Sequence, residues 1–204
     1  MQRTFDEWAQ ELVKAGHILY AQGMVPATSG NFSARLAPDS IAITVSGRHK
    51  GQLSVSDIMQ IDAAGRSRDG RRPSAETALH LQLYRRFPRA HVVLHHHSLP
   101  ATLISQFAQD RIVFENYELL KAFPDITTHA TRMEVPVFAN DQDIPRLAEE
   151  VEAYMDAHPP IHGYLISGHG LYTWGDSVET ALKHVEAFEF LFKCELMKRG
   201  VSSP

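Results

Sequence analysis

The sequence predicts an α/β sandwich, with helices packed on both faces of a sheet, and not a doubly wound parallel sheet. Apolar residues recur at helical spacing in some segments and form short β-branched runs in others. The two kinds of segment are mixed without the strict strand–helix alternation of a parallel βαβ array. The 204 residues, 44% of them hydrophobic, suffice for one well-buried core. No repeat, low-complexity tract or linker divides them, so a single domain over 1–204 is expected.

The first helix starts at Thr4, which opens a T-F-D-E capping box, and places Phe5, Trp8 and Leu12 on one face until Gly23 and Pro26 stop it. The loop Thr28-Ser29-Gly30-Asn31 leads into a strand-like stretch, and Ile41 to Val45 is β-branched and ends in a Ser46-Gly47 turn. Residues 62–73, rich in Gly, Arg and Asp, read as a surface loop. Ser74 is the expected N-cap of a helix carrying Leu79, Leu83 and Phe87. His91 to His97 reads as a strand, Pro100 opens a short helix through Phe107, and residues 115–123 suit another short helix. Val135 to Phe138 is a strand, 143–157 an acidic helix, and Ile161 to Ser167 a strand running into Gly168-His169-Gly170. Asp176 and Glu179 form a second capping box for a long helix burying Leu182, Val185, Phe188, Leu191 and Phe192.

Composition narrows the function. A formal charge of -4 argues against non-specific nucleic-acid binding, and no apolar run is long enough to span a bilayer. The N-terminal MQRTFDEWAQEL does not read as a signal peptide, and Cys194 is the single cysteine, so a reducing cytoplasm is expected. The 12 histidines are the unusual number and direct attention to metal chemistry.

Side chains alternate across a strand, so His95 and His97 share a face while His96 points away. Two imidazoles two residues apart can converge on one ion at ~2.0–2.1 Å. His169, held between two glycines after an apolar strand, is the best candidate for a third ligand that leaves a position open for substrate. His80, His91, His96 and His184 are assigned structural places. For an anion, Thr28-Ser29-Gly30-Asn31 offers small donors and a backbone able to form a nest. Ser46-Gly47-Arg48-His49-Lys50 adds a hydroxyl and two cations, and Ser74 marks a helix N-terminus. Glu76 and Glu118 are both candidate acid/base residues, and spacing alone does not rank them.

These residues resemble the class II aldolase/adducin family over nearly the whole chain, through TSGNFS, VSGRHKG, PSAE, LHHHS and SGHG. The resemblance implies a three-layer α/β/α sandwich around a mostly antiparallel sheet, and a homotetramer with active sites near subunit interfaces. It implies one zinc per subunit on His95, His97 and His169. It implies a substrate phosphate bound at Thr28, Gly30, Asn31, Ser46, Gly47 and Ser74, to which Lys50 adds a cation. Family aldolases often carry a second serine before the glutamate, where Ala75 stands here, so one phosphate donor is missing. VSGRHKG, NYELLKAF, VPVFANDQDIP and GHGLYTWG are similar to the branch that dehydrates a ketose 1-phosphate in methionine salvage. That branch implies Glu118 over Glu76 as the acid/base. The alternatives are a sugar-phosphate aldolase or epimerase on the same metal, and a non-catalytic adducin-type interaction module.

Overall fold

The computed structural model describes residues 3–200. Its elements run α1 (Phe5–Ala21), β1 (Asn31–Ala37), β2 (Ser40–Thr44), β3 (Ile58–Asp62), α2 (Thr77–Arg86), β4 (Val92–His96), α3 (Leu99–Phe107), β5 (Arg111–Glu115), β6 (Arg132–Phe138), α4 (Ile144–Ala157), β7 (Gly163–Ile166), β8 (Gly170–Gly175) and α5 (Val178–Lys198). The strands form one sheet in the order β3-β2-β1-β4-β8-β7-β6-β5. Every neighbouring pair is antiparallel except β6–β7.

Strand alternation sorts the core into layers. Ile41, Ile43, Val93 and Tyr172 face α2 and α4, where Leu79, Leu83, Leu147 and Val151 meet them. Phe32, Ala34, Val92 and Leu94 face the other way, onto Leu12 and Leu19 of α1 and Val185 of α5. Further along that second face Phe114, Val135 and Leu165 pack under Ile104 of α3 and Phe188 and Phe192 of α5. The expected α/β/α sandwich with a mostly antiparallel sheet is therefore what the chain forms. Among the described residues no helix is long and apolar enough to cross a membrane.

The helix ends follow local chemistry, with two corrections. Thr4 caps α1 and forms the expected capping box with Glu7. Ser74 does not cap α2: Glu76 is the N-cap residue, and Ser74 precedes it in a turn where its carbonyl accepts from the Thr77 N–H. Likewise Ser177, not Asp176, caps α5, accepting from the Thr180 N–H at 3.1 Å. Residues 115–123 form a shorter helix than expected. Asn116 adopts φ 61°, and only a 3-10 helix over Glu118–Ala122 follows.

Register places the ends that matter. Asn31 lies opposite His95, Leu171 opposite His96, Gly170 opposite Ile166, and Phe138 opposite Ile166. The start of β1 and the ends of β4, β6 and β7 therefore share one edge of the sheet, where the loops carrying the predicted site residues emerge. Glu115 pairs with Arg132 at the other edge.

Candidate active site

His95 is the penultimate residue of the buried strand β4 and His97 lies just beyond the strand; alternation puts both on the α2 side, as their spacing requires. His96 faces α5 instead, fully buried, with Nε2 3.9 Å from Glu189 Oε1. The third histidine arrives on the β7–β8 turn. Gly168 takes φ 63° there, and a Cβ on Gly170 would sit 2.0 Å from the His96 carbonyl oxygen. Glycine at 170 lets the turn press against β4, and glycine at 168 supplies its left-handed backbone. Two hydroxyls of α3 fasten it: the Gly168 N–H donates to Ser105 Oγ at 2.9 Å, and Thr102 Oγ1 donates to the His169 carbonyl at 2.9 Å.

The three rings converge. His95 Nε2 lies 2.8 Å from His97 Nε2 and 3.3 Å from His169 Nε2. Tetrahedral ligands at zinc–nitrogen distances of ~2.0–2.1 Å stand about 3.3 Å apart, so the spacing matches nitrogens sharing one ion. His95 Nδ1–H donates to the Leu171 carbonyl at 2.9 Å, which fixes its tautomer and leaves the Nε2 lone pair facing the cluster. His95 also stacks on its cross-strand partner Tyr172, ring centroids 4.0 Å apart. Burial holds His95 well below the usual imidazole range, and burial together with the neighbouring His169 brings His97 to about 4. Neutral imidazoles are the form a metal binds. Among the described residues this is the one histidine, cysteine or carboxylate group with a metal ion's ligand spacing.

Glu76 completes the arrangement. Its Oε2 is 3.2 Å from His95 Nε2 and its Oε1 3.1 Å from His169 Nε2, the same interval that separates the nitrogens. Tyr172 and the Asn31 amide each donate to Oε2 at 2.7 Å. Burial alone would raise this carboxyl, but His95, His169 and the Tyr172 hydroxyl outweigh it and hold Glu76 well below the ordinary carboxylate range. The donor set, three imidazoles with an ionised carboxylate, fits a divalent ion such as zinc.

Beside the histidines opens a cavity of about 290 Å³. Thr28, Gly30, Asn31, Ser46, Gly47, Lys50 and Ser74 all line it, together with Ala75, Glu76 and His97. Gly30 is required: at φ 75° an added Cβ would come within 2.6 Å of the His95 carbonyl oxygen. Lys50 is 1% exposed and donates to the carbonyls of Thr28 at 3.0 Å and Arg48 at 2.7 Å. Burial lowers its ammonium to about 8, against a smaller opposing pull from Glu76. Arg48 is not part of the lining; it is half-exposed and pairs with Asp57 at 3.2 Å.

Glu118 lies elsewhere. It opens the 3-10 helix that follows β5, pairs with Lys121, and is 71% exposed with His129 Nδ1 3.7 Å away. Register puts this segment at the edge opposite the histidines, separated from them by about the length of β6, roughly 20 Å at ~3.3 Å per residue. Sequence reasoning passed over Tyr172. Its signal was parity: it lies opposite His95 and so must share that histidine's face.

This fold and this histidine set define a class of protein. Residues 10–196 match the class II aldolase and adducin N-terminal domain, and the chain belongs to that family. It is 59% identical over 197 residues to the methylthioribulose-1-phosphate dehydratase of Methylococcus capsulatus (strain Bath), covering 97% of each chain. It is 53% identical over 203 residues to the protein of that name from Pseudomonas fluorescens, covering 98% of each. Among solved structures, L-fuculose-1-phosphate aldolase from Thermus thermophilus superposes with a TM-score of 0.76 at 26% identity, covering 96% of this chain and 97% of that one. YgbL from Escherichia coli shares the fold with a TM-score of 0.80 at 21% identity, covering 96% and 91%.

Proposed function

We propose that the chain is a zinc-dependent hydro-lyase that removes water from 5-methylthioribulose 1-phosphate in methionine salvage, giving 2,3-diketo-5-methylthiopentyl 1-phosphate. The observation that carries this reading is the convergence of three imidazoles and the Glu76 carboxylate beside a cavity lined by all seven expected anion-binding residues. The near full-length likeness to two dehydratases supports the choice of substrate.

His95, His97 and His169 would hold the ion, one per subunit. When bound, zinc supplies a Lewis acid that makes the proton next to the substrate's C2 carbonyl easier to remove. The Lys50 ammonium, the Ser46, Thr28 and Ser74 hydroxyls and the Gly30, Asn31 and Gly47 backbone seat the phosphate and so fix C3 and C4 over the histidines. A carboxylate then takes the C3 proton. The C3–C4 double bond forms as the C4–O bond breaks, the proton leaves with that hydroxyl as water, and the resulting enol ketonises at C3.

Two carboxylates serve this chemistry. Glu76 is in place, with Oε2 anchored by two donors and Oε1 3.1 Å from His169 Nε2. Glu118, at the far edge of its own sheet and exposed, works as the acid/base at the site of a neighbouring copy. That role goes with a cytoplasmic homotetramer of single-domain subunits. The reading is tested by stripping metal from purified protein: turnover of methylthioribulose 1-phosphate should vanish and return with about one zinc per chain. Dehydration at the full rate by metal-free protein would overturn it.

A further inference from the structure

His80, one turn along α2 from Glu76, is fully buried and bonded at both ring nitrogens. Nδ1 lies 2.7 Å from Ser33 Oγ, and Nε2 meets Asn31 Oδ1. Asn31 Nδ2 donates to Glu76 Oε2 at 2.7 Å, and Ser33 Oγ lies 2.7 Å from the Tyr84 hydroxyl. The direction of every bond in this chain can be derived from its end. The Asn31 NH₂ lies against Glu76 Oε2 and its carbonyl oxygen against His80, and an amide oxygen only accepts. His80 must then carry its proton on Nε2, which leaves Nδ1 to accept from the Ser33 hydroxyl. Ser33 in turn accepts from Tyr84. Four successive donors thus point one way, from the core to the Glu76 carboxylate. The opposite His80 tautomer would draw the Asn31 NH₂ to itself and set an amide oxygen against the carboxylate. Burial favours neutral imidazole here and brings His80 to about 4, so the doubly protonated form does not compete.

We infer that His80 is a positioning residue for the reaction: its Nε2–H tautomer sets the orientation of the Asn31 amide, which, with Tyr172, pins Glu76 Oε2 and so holds Oε1 at 3.1 Å from His169 Nε2. The Asn31 side chain is thereby committed to the carboxylate, and the phosphate is left with its backbone. The inference deepens the proposed activity and rests on it only where rates are read.

Two measurements test it. In histidine-¹⁵N-labelled holoenzyme, long-range proton–nitrogen correlation should show the His80 ring protonated at Nε2 and bare at Nδ1 from pH 6 to 9; signals missing from His80→Gln assign it. A proton on Nδ1, or on both nitrogens, overturns the inference whether or not the protein turns over the substrate. In kinetics, His80→Phe should lower kcat about 10–100-fold, with KM and bound zinc held within roughly threefold. His80→Gln, which can both donate and accept, should recover most of that loss. In an Asn31→Ala background His80→Phe should cost less than about twofold more, because the relay is already cut. A full additional loss there means a merely structural role and overturns the inference. If His80→Phe does not fold, the tautomer decides alone. Absent wild-type dehydration with the Nε2–H tautomer present would refute the proposed activity and leave the positioning intact.

Discussion

Replacing Lys50 with Met removes the one cation buried in the wall of the cavity. Two of its three N–H groups are spent on the Thr28 and Arg48 carbonyls, which leaves one for an anion in the cavity. A charge-assisted hydrogen bond contributes about 1.5–3 kcal/mol, so kcat/KM for the phosphorylated substrate should fall roughly 10- to 150-fold. A substrate analogue lacking phosphate should lose little. The pH dependence follows from the lowering of Lys50 from 10.5 to about 8 by burial. In the free enzyme the ammonium is present below pH ~8 and lost above it, so wild-type kcat/KM should decline through pH ~8 on the alkaline side, while Lys50→Met lacks that step. The same shift fixes a stability sign. Folding disfavours the charged form, so the penalty is absent above about 10.5, grows as pH falls, and is full below about 8, where it amounts to ~3 kcal/mol at about 1.4 kcal/mol per pH unit. Bound inorganic phosphate should offset it and raise Tm most below pH 8. The assay is steady-state kinetics from pH 6 to 9.5 on both proteins. A Lys50→Met variant with wild-type kcat/KM, or with the same alkaline step, would refute the assignment.

Three further outcomes follow. His169→Ala should lower zinc affinity by about 100-fold or more without unfolding the chain, as read by metal analysis after dialysis against a weak chelator; full zinc retention would remove His169 from the ligand set. Glu118→Gln and His97→Ala should each be inactive alone, yet co-assembled in equal amounts they should regain about a quarter of wild-type activity, because half of the chains keep the histidines and half of their neighbours keep the glutamate. No recovery on co-assembly would place Glu118 outside the neighbouring site. Gly170→Ala should destabilise by at least ~2 kcal/mol in urea denaturation, because its Cβ would lie 2.0 Å from a backbone oxygen that cannot yield; a wild-type midpoint would contradict the tight approach of the His169 turn.

Helices with strong apolar period and local caps were legible in the residues: α1 and α4 fall within a residue or two of expectation, because their signals are contiguous in the chain. β3, β5 and β8 were not. IMQID, RIVFE and GLYTWG are five or six residues long, and what makes them strands is partners far off in sequence. The same limit explains the shortened 115–123 segment, where left-handed Asn116 breaks a pattern that residue types alone read as helical.

The site divides likewise. His95 and His97 could be paired from strand parity, and the two glycines marked His169. All seven anion-site residues line the cavity because they sit in loops that the sheet gathers at one edge. Residue spacing could not rank Glu76 and Glu118; the family resemblance alone favoured Glu118. Their separation is set by the β5–β6 register and by which edge each loop leaves, quantities no local pattern contains. His80 read as structural; only its two bonded partners disclose a direction running to Glu76.

The most direct measurement of the central claim is turnover of methylthioribulose 1-phosphate by zinc-loaded protein with mass detection of the product. A single phosphorylated diketone is expected, lighter than the substrate by one water and with its carbon count unchanged. Two smaller carbonyl fragments would mark carbon–carbon cleavage on the same metal site, and either those fragments or unchanged substrate would contradict the assignment.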